Sequence, residues 1–214
     1  MNRKTLFIIS SAISVSTNPL CYSPTRSAYT DQVRARQTLK TIQSIRDYIP
    51  NAKILFIEIG LDKNLPYQIE KKVDKYVYLG DKRIIRDAAD GPYKGLGEAI
   101  SLYLSHRWIS SFNADYYYKL SGRYFLNQQF KEFEWIGNAF TGKNYHGGLF
   151  TVLYGFPAQS YLNWRYSLKQ SIPGLVQGQS IEIIQPSFFE KPIHYLDTLG
   201  VSGWESHSGN SILL

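Results

Sequence analysis

Ser121-Gly122-Arg123 interrupts the chain directly after Tyr116-Tyr-Tyr-Lys-Leu120, a run that reads as a buried strand. A glycine there lets the backbone turn and approach a ligand closely. An arginine offers a planar, two-pronged cation that matches phosphate oxygens, and the serine adds a hydroxyl. The trio has the chemistry of a diphosphate site; the competing reading is an ordinary strand end with a surface arginine. A second group is Lys94-Gly-Leu-Gly-Glu98, a glycine loop opening into a helix. A helix N-terminus points partial positive charge at anions, and Lys94 can reach a phosphate. A lone Gly-x-Gly is also a common helix entry. Asp87 and Asp90 precede it, as acceptors for hydroxyls or as capping and turn residues. Ser180-Ile-Glu182 opens a later helix, where an acid is favoured by the dipole.

Two other chemistries are disfavoured. His106, His146, His194 and His207 show no i, i+4 pair and no cysteine partner, so no zinc pattern exists. Gly137-Asn-Ala-Phe-Thr-Gly-Lys-Asn144 nearly spells a P-loop, but Asn144 stands where a magnesium-binding Ser or Thr belongs, and Tyr145-His-Gly-Gly148 follows instead of a helix.

The elements that must position these residues alternate. Thr5 to Ile9 is a continuous apolar run, suited to a strand covered on both faces. A long loop, Val15 to Ser27, follows; its length marks it as functional or mobile. Thr30 caps a helix with Asp31 in the first turn and Ala35, Leu39, Ile42 and Ile45 on one face; Arg34 is expected mostly off that face. Lys53–Ile59 and Lys75–Leu79 read as strands two and three, with a short helix at Tyr67–Val73 between them. Leu96 to Phe112 reads as one helix. Beyond Asn127 the pattern weakens: a short helix or turn from Phe130 to Trp135, a glycine-containing loop from Gly137 to Gly148, a strand at Leu149–Tyr154, helices at Ala158–Gln170 and Gly178–Gln185, and a Gly/Ser-rich tail. Such alternation predicts βαβ units and an α/β fold with a mixed, mainly parallel sheet and helices on both faces.

A chain of 214 residues is one good-sized domain. Its 24 lysines and arginines against 17 acids give a net charge of +7, which suits an anionic partner: phosphates, nucleic acid or an acidic membrane surface. The basic residues are scattered, and no nucleic-acid motif appears, so no nucleic acid is expected. Cys21 is the single cysteine, which suits a reducing, cytoplasmic setting. No run approaches the roughly 20 apolar residues of a transmembrane helix, although peripheral membrane contact is compatible with the charge.

Asp115-Tyr-Tyr-Tyr-Lys-Leu-Ser-Gly-Arg123 aligns position for position with a form found in many sugar-transferring enzymes, Asp-Tyr-x-x-x-Leu-Asp-x-Asp. There the paired acids hold a divalent metal that bridges the donor's phosphates; here Ser121 and Arg123 replace them. The Lys119–Tyr124 run resembles glycosyltransferases of the GT-A fold, especially small ones of large algal (chlorella) viruses and some bacteria. Supporting tracts are Ser10-Ser-Ala-Ile13, Arg34-x-x-Gln37-Thr38, Ile42-x-x-Ile45-Arg46, Lys94–Ala99, Ser180-Ile-Glu182 and Leu199-Gly-Val-Ser-Gly203.

The resemblance implies a single GT-A-like (nucleotide-diphospho-sugar transferase) domain over residues 1–214, with a nucleotide-sugar half (1–125) and an acceptor half (126–214). It implies a hexosyl- or deoxyhexosyltransferase moving a sugar from a UDP-sugar to a hydroxyl on a glycan or glycoprotein. Ser10, Ser11 and Ala12 would meet base and ribose, with Glu58 as a further contact or else a locally paired strand residue. Asp90 would meet the donor sugar; Lys94, Ser121, Gly122 and Arg123 the diphosphate; His207 would approach the phosphates from the C-terminal side. Glu182 would be the general base. Tyr124, Tyr154, Trp164 and Trp204 are stacking residues or core. The missing acids imply that no metal cofactor is required, against the magnesium or manganese usual in the fold. Two rival readings stay open: a non-catalytic nucleotide-sugar or glycan-binding module, and a basic nucleic-acid binder.

Overall fold

In the computed structural model, which describes residues 3–214, strand β1 (Thr5–Ser11) lies in the interior of the main sheet. Its neighbours are β2 (Lys53–Glu58) on one side and β4 (Tyr116–Ser121) on the other, both parallel to it. Beyond β2 lies β3 (Lys75–Tyr78), also parallel. Beyond β4 lies β7 (Gly148–Pro157), antiparallel, then β6 (Thr141–Tyr145) and the two-residue β8 (His194–Tyr195). The order is β3-β2-β1-β4-β7-β6-β8. A second, antiparallel sheet joins β5 (Tyr124–Leu126), β9 (Val201–Trp204) and β10 (Ser211–Leu213).

The unbroken apolar runs are explained by two cores. Phe7, Ile9, Ile54, Phe56, Tyr118 and Leu120 face one layer, with α1 (Asp31–Tyr48) and β5 over it. Leu6, Ile8, Leu55, Ile57 and Tyr117 face the other, under α3 (Lys94–Leu104) and α6 (Tyr161–Val176). Successive side chains of a strand point to opposite faces, so a strand buried on both is apolar along most of its length. Each fully buried large side chain contributes about 1.5–3 kcal/mol.

The chain winds outward from β1 to β2 and β3, with α2 (Arg83–Ala89) following, then crosses back to β4. That reversal opens a crevice beyond the carboxyl ends of β1 and β4, where Ser10 pairs in register with Ser121.

The helix cap is as expected: the Val33 amide donates to Thr30 Oγ1 at 3.4 Å. Other boundaries differ. The expected helix from Leu96 to Phe112 is two, α3 and α4 (His106–Ser110), broken at Ser105. The Ser105 hydroxyl donates to the Ser101 carbonyl at 2.8 Å, the local bond by which serine competes with helix continuation. Tyr67 to Val73 is a 3-10 segment, Pro66–Lys72. A short α5 (Glu132–Trp135) precedes β6. The span from Gly137 to Gly148 is not a loop, because it contains β6. A β-carbon on Gly142 would lie 2.6 Å from Leu149 Cδ1, so this glycine serves close strand packing. The tail likewise forms β8, β9 and β10, and a β-carbon on Gly203 would lie 2.3 Å from the Tyr124 ring. Among the described residues no helix is long and apolar enough to cross a membrane.

Candidate functional site

The carboxyl ends of β1 and β4 open into a cleft of about 650 Å³. Its lining includes Ser10, Ser11, Ala12, Lys94, Ser121 and Arg123 from the first half of the chain, and Glu182 and His207 from the second. The near P-loop lies apart from these, on β6 and the turn before it.

Arg123 follows the strand end. Its side chain has one hydrogen-bond partner among the described residues, the Trp204 carbonyl, 3.4 Å from Nε. Lys94 begins α3 and has none. Lys94 is exposed because it stands in the open cleft. The surrounding walls desolvate its ammonium, and Arg123 and Arg34 repel it, so its pKa falls well below the ordinary lysine value. Burial also lowers Arg123 from the ordinary arginine value, opposed by Tyr124, Glu98, Tyr22 and Tyr29. Both cations are therefore crowded by like charge and short of protein acceptors.

Ser121 is held from below. Lys119, fully buried, donates from Nζ to Ser121 Oγ at 3.1 Å and to the Thr151 carbonyl at 2.6 Å, and pairs with Glu98 of α3. Because Ser121 Oγ accepts from Lys119, its own hydrogen is free to donate into the cleft. The same framework reaches Glu182 on α7 (Ile181–Ile184), whose Oε1 accepts from Thr151 Oγ1 at 2.8 Å and whose Oε2 accepts from the Ser180 hydroxyl. Ser180 also caps α7 by accepting from the Glu182 amide.

Two buried arginines to which the sequence reading gave no part in the site build the wall. Arg34 lies on the inner side of α1, only 3% exposed, contrary to its expected outward position. Its guanidinium donates to the Ala12 carbonyl and, at 3.0 Å each, to Ser27 Oγ and Ser206 Oγ. Burial, with Arg123 nearby, lowers its pKa to about 9, which leaves it a cation at neutral pH. Arg26 donates only to carbonyls: Asn18, Pro19, and Ala89, Asp90 and Gly91 at the end of α2. It caps that helix and fastens the loop between β1 and α1 to it. Tyr22 of this loop makes an edge contact with His207, ring centroids 5.4 Å apart. Their sequence signals were weak, because a polar residue is expected on a helix's outer face or in a loop.

Three expected donor contacts do not line the cleft. Glu58 is fully buried, and its Oε1 accepts from the Ile13 amide at 2.9 Å and the Gly60 amide at 2.6 Å. It ties the loops after β1 and β2 together. Asp90 turns its carboxylate to Arg86, 3.4 Å away, and its carbonyl to Arg26. Gly122 spends its amide on the Ser10 carbonyl at 2.9 Å and its carbonyl on Thr38, so that amide is no ligand donor. Its value is proximity, since a β-carbon there would lie 3.1 Å from Ser11 Cβ. Of the four aromatics, Tyr124 lines the cleft, while Tyr154 and Trp164 are core, joined by a 2.8 Å bond from the indole to the Tyr154 hydroxyl. Trp204 lies over Lys40 beside Phe125.

No family model and no curated protein matches the sequence. Among solved structures, the chain is similar to the crystal structure of a galactosyltransferase, LgtC, in complex with donor and acceptor sugar analogues. The TM-score is 0.50 at 8% identity, over 89% of this chain and 72% of that one. The fold is GT-A-like. At that identity the likeness carries the architecture and leaves chemistry to the residues present. The GT-A strand end that commonly bears paired acids bears Ser121 and Arg123 here, with Lys94 near. This set brings positive charge where a divalent cation would sit, and it does not fit one. Among the described residues no three His, Cys, Asp or Glu side chains converge as a metal cluster.

Proposed function

We propose that this chain is a glycosyltransferase that moves a sugar, a hexose or deoxyhexose, from a UDP-sugar to a hydroxyl of a glycan or glycoprotein. The reading rests on one observation: two cations short of protein acceptors, Lys94 and Arg123, share a cleft with the carboxylate of Glu182 at the strand ends of a GT-A-like sheet. Of the tracts that carry the resemblance to small algal-virus and bacterial enzymes, those at Ser10, Arg34, Lys94, Ser121 and Ser180 contribute to this cleft, which supports the same assignment, while those at Ile42 and Leu199 lie in the core.

In a direct displacement, the acceptor oxygen attacks the anomeric carbon as the bond to the β-phosphate oxygen breaks. The electron pair of that bond goes to the diphosphate. Arg123, Lys94 and the Ser121 hydroxyl stabilise the developing charge, in place of a metal. Glu182, oriented by Thr151 and Ser180, takes the acceptor's proton. Ser10, Ser11 and Ala12 line the end of the cleft nearest β1 and would meet the nucleoside.

The test is release of nucleoside diphosphate from a panel of nucleotide sugars and glycan acceptors, with and without a chelator. Turnover that survives chelation is expected. Glu182→Gln should lower turnover by about 100-fold or more while donor affinity changes little. Donor binding without turnover on any acceptor would indicate a binding module, and no binding by any nucleotide sugar would sink the proposal.

A further inference from the structure

Helix α6 is buried on one side only. Trp164, Leu168, Ser171 and Leu175 turn inward, each at most 1% exposed. On the outside Leu162, Tyr166, Lys169, Pro173 and Val176 recur at intervals of three and four, so they share one narrow stripe, about 21 Å long. Leu162 is 73% exposed, Tyr166 53% and Val176 55%. Isolated exposed apolar residues are ordinary, but a row along one helix is a contact surface without its partner.

The helices that carry the row hold charge of one sign, and the acid placed beside α6 is Glu190, whose amide donates to Asn163 Oδ1 at 3.1 Å near the start of the helix. Residues 136–181 contain no Asp or Glu, and α6 carries Arg165 and Lys169. Helix α4 is its neighbour: the Tyr161 hydroxyl donates to the His106 carbonyl at 3.0 Å, and Arg165 lies over the Tyr103 ring at the end of α3. Helix α4 adds Arg107, exposed and 4.2 Å from the centre of the Trp108 ring.

We propose that α6 and α4 dock this chain on an anionic lipid surface, with Leu162, Tyr166 and Val176 entering the headgroup layer and Arg107, Arg165 and Lys169 facing lipid phosphates. The row stands out on a convex helix, one side chain deep, with cations on its flank and no acid on either helix. That geometry fits a planar, negative interface of shallow apolar depth. Tyr166 pairs an apolar ring with a hydroxyl, which suits that boundary. The docking does not depend on the transfer reading. Helix α6 runs into Gly178, Gln179 and Ser180 at the cleft rim, so a docked molecule holds that rim near the lipid. Under the transfer reading, that is where an acceptor embedded in the membrane would be met.

The experiment is flotation of the full chain with vesicles of phosphatidylcholine alone and of phosphatidylcholine mixed with phosphatidylserine. Flotation with the mixed vesicles only, reversed by high salt, is expected. Leu162→Glu with Tyr166→Glu should weaken it about 10-fold or more, as should Arg165→Ala with Lys169→Ala. Phe133→Glu, an equally exposed apolar site on α5, should leave it unchanged; circular dichroism confirms that each variant is folded. No flotation of the wild-type chain overturns the proposal. So does equal flotation of all variants, or a wild-type dimer that the Leu162/Tyr166 variant converts to monomer, which would make the stripe a contact between copies.

Discussion

Lys94 and Arg123 differ in what a bound diphosphate would do to them. Arg123 stays charged throughout, so it supplies a fixed charge-assisted grip worth about 1.5–3 kcal/mol. Arg123→Ala should therefore cost about 10-fold or more in donor affinity or rate, and Arg123→Lys should recover part of the charge but not the two-pronged geometry. An unchanged rate and affinity would remove Arg123 from the site. Lys94 titrates. Desolvation and two nearby guanidiniums hold its pKa in the empty protein well below the ordinary lysine value. Between those two values the empty cleft holds Lys94 largely neutral, and an arriving anion favours its protonation. Binding of UDP in that window should take up a proton, and affinity should fall as pH rises through it. Calorimetry in two buffers of different ionisation enthalpy measures the uptake; Lys94→Met should abolish it.

At the scale of elements, Glu58 shows how a strand-end acid can serve the fold instead of the ligand. Desolvation raises its pKa against the backbone amides of Ile13 and Gly60 and the charge of Arg34. A carboxyl raised in the native state binds more protons there than in the unfolded chain. Its contribution to stability is thus full below the ordinary glutamate value and is lost as pH rises through the native one. Glu58→Gln keeps an acceptor for both amides without a charge to bury. It should match or exceed the wild-type chain in denaturant midpoint at alkaline pH and lack the decline that begins above the ordinary glutamate value. Glu58→Ala leaves two buried amides unpaired and should cost about 2 kcal/mol or more at any pH. Equal midpoints for all three chains would show that the loops hold without this clamp. The sequence exposes β1, β2 and β4 because a strand buried on both faces is apolar along most of its length, with Glu58 and Lys119 as paired exceptions. It hides β6 and β9 because Gly142 and Gly203, signs of a loop by themselves, make room for Leu149 and the Tyr124 ring on neighbouring strands. Periodicity carries no information about a partner far away in the chain.

The site follows the same division across the whole molecule. Ser10, Ser121, Arg123 and Lys94 belong to strand ends and a helix start, which local pattern can place. The walls depend on contacts between distant segments, and Arg34 is the junction of three of them. From α1 it binds Ala12 after β1, Ser27 in the loop before the helix, and Ser206 between β9 and β10. The Ala28 amide donates to the Ser206 carbonyl at 2.7 Å, and the Tyr29 hydroxyl to the Gly209 carbonyl at 2.6 Å, along the same seam. Long loops ordinarily open at low free-energy cost, but these two are bonded to each other and share one buried cation. Arg34→Met fills much of the volume and removes the donors, leaving the Ala12 carbonyl without this partner and the two hydroxyls with only their bonds to Tyr29 and to the Arg26 carbonyl. Amide hydrogen exchange should then quicken in residues 12–29 and 205–210 together, while β2 and β3 keep their protection. Donor affinity should fall by about 10-fold or less, because Arg123 and Lys94 stay in place. If only one of the two segments loosens, Arg34 is a local bond and the two walls are held independently. If both loosen, one residue of α1 sets the shape of a cleft by holding a wall that lies 172 positions from it in the chain.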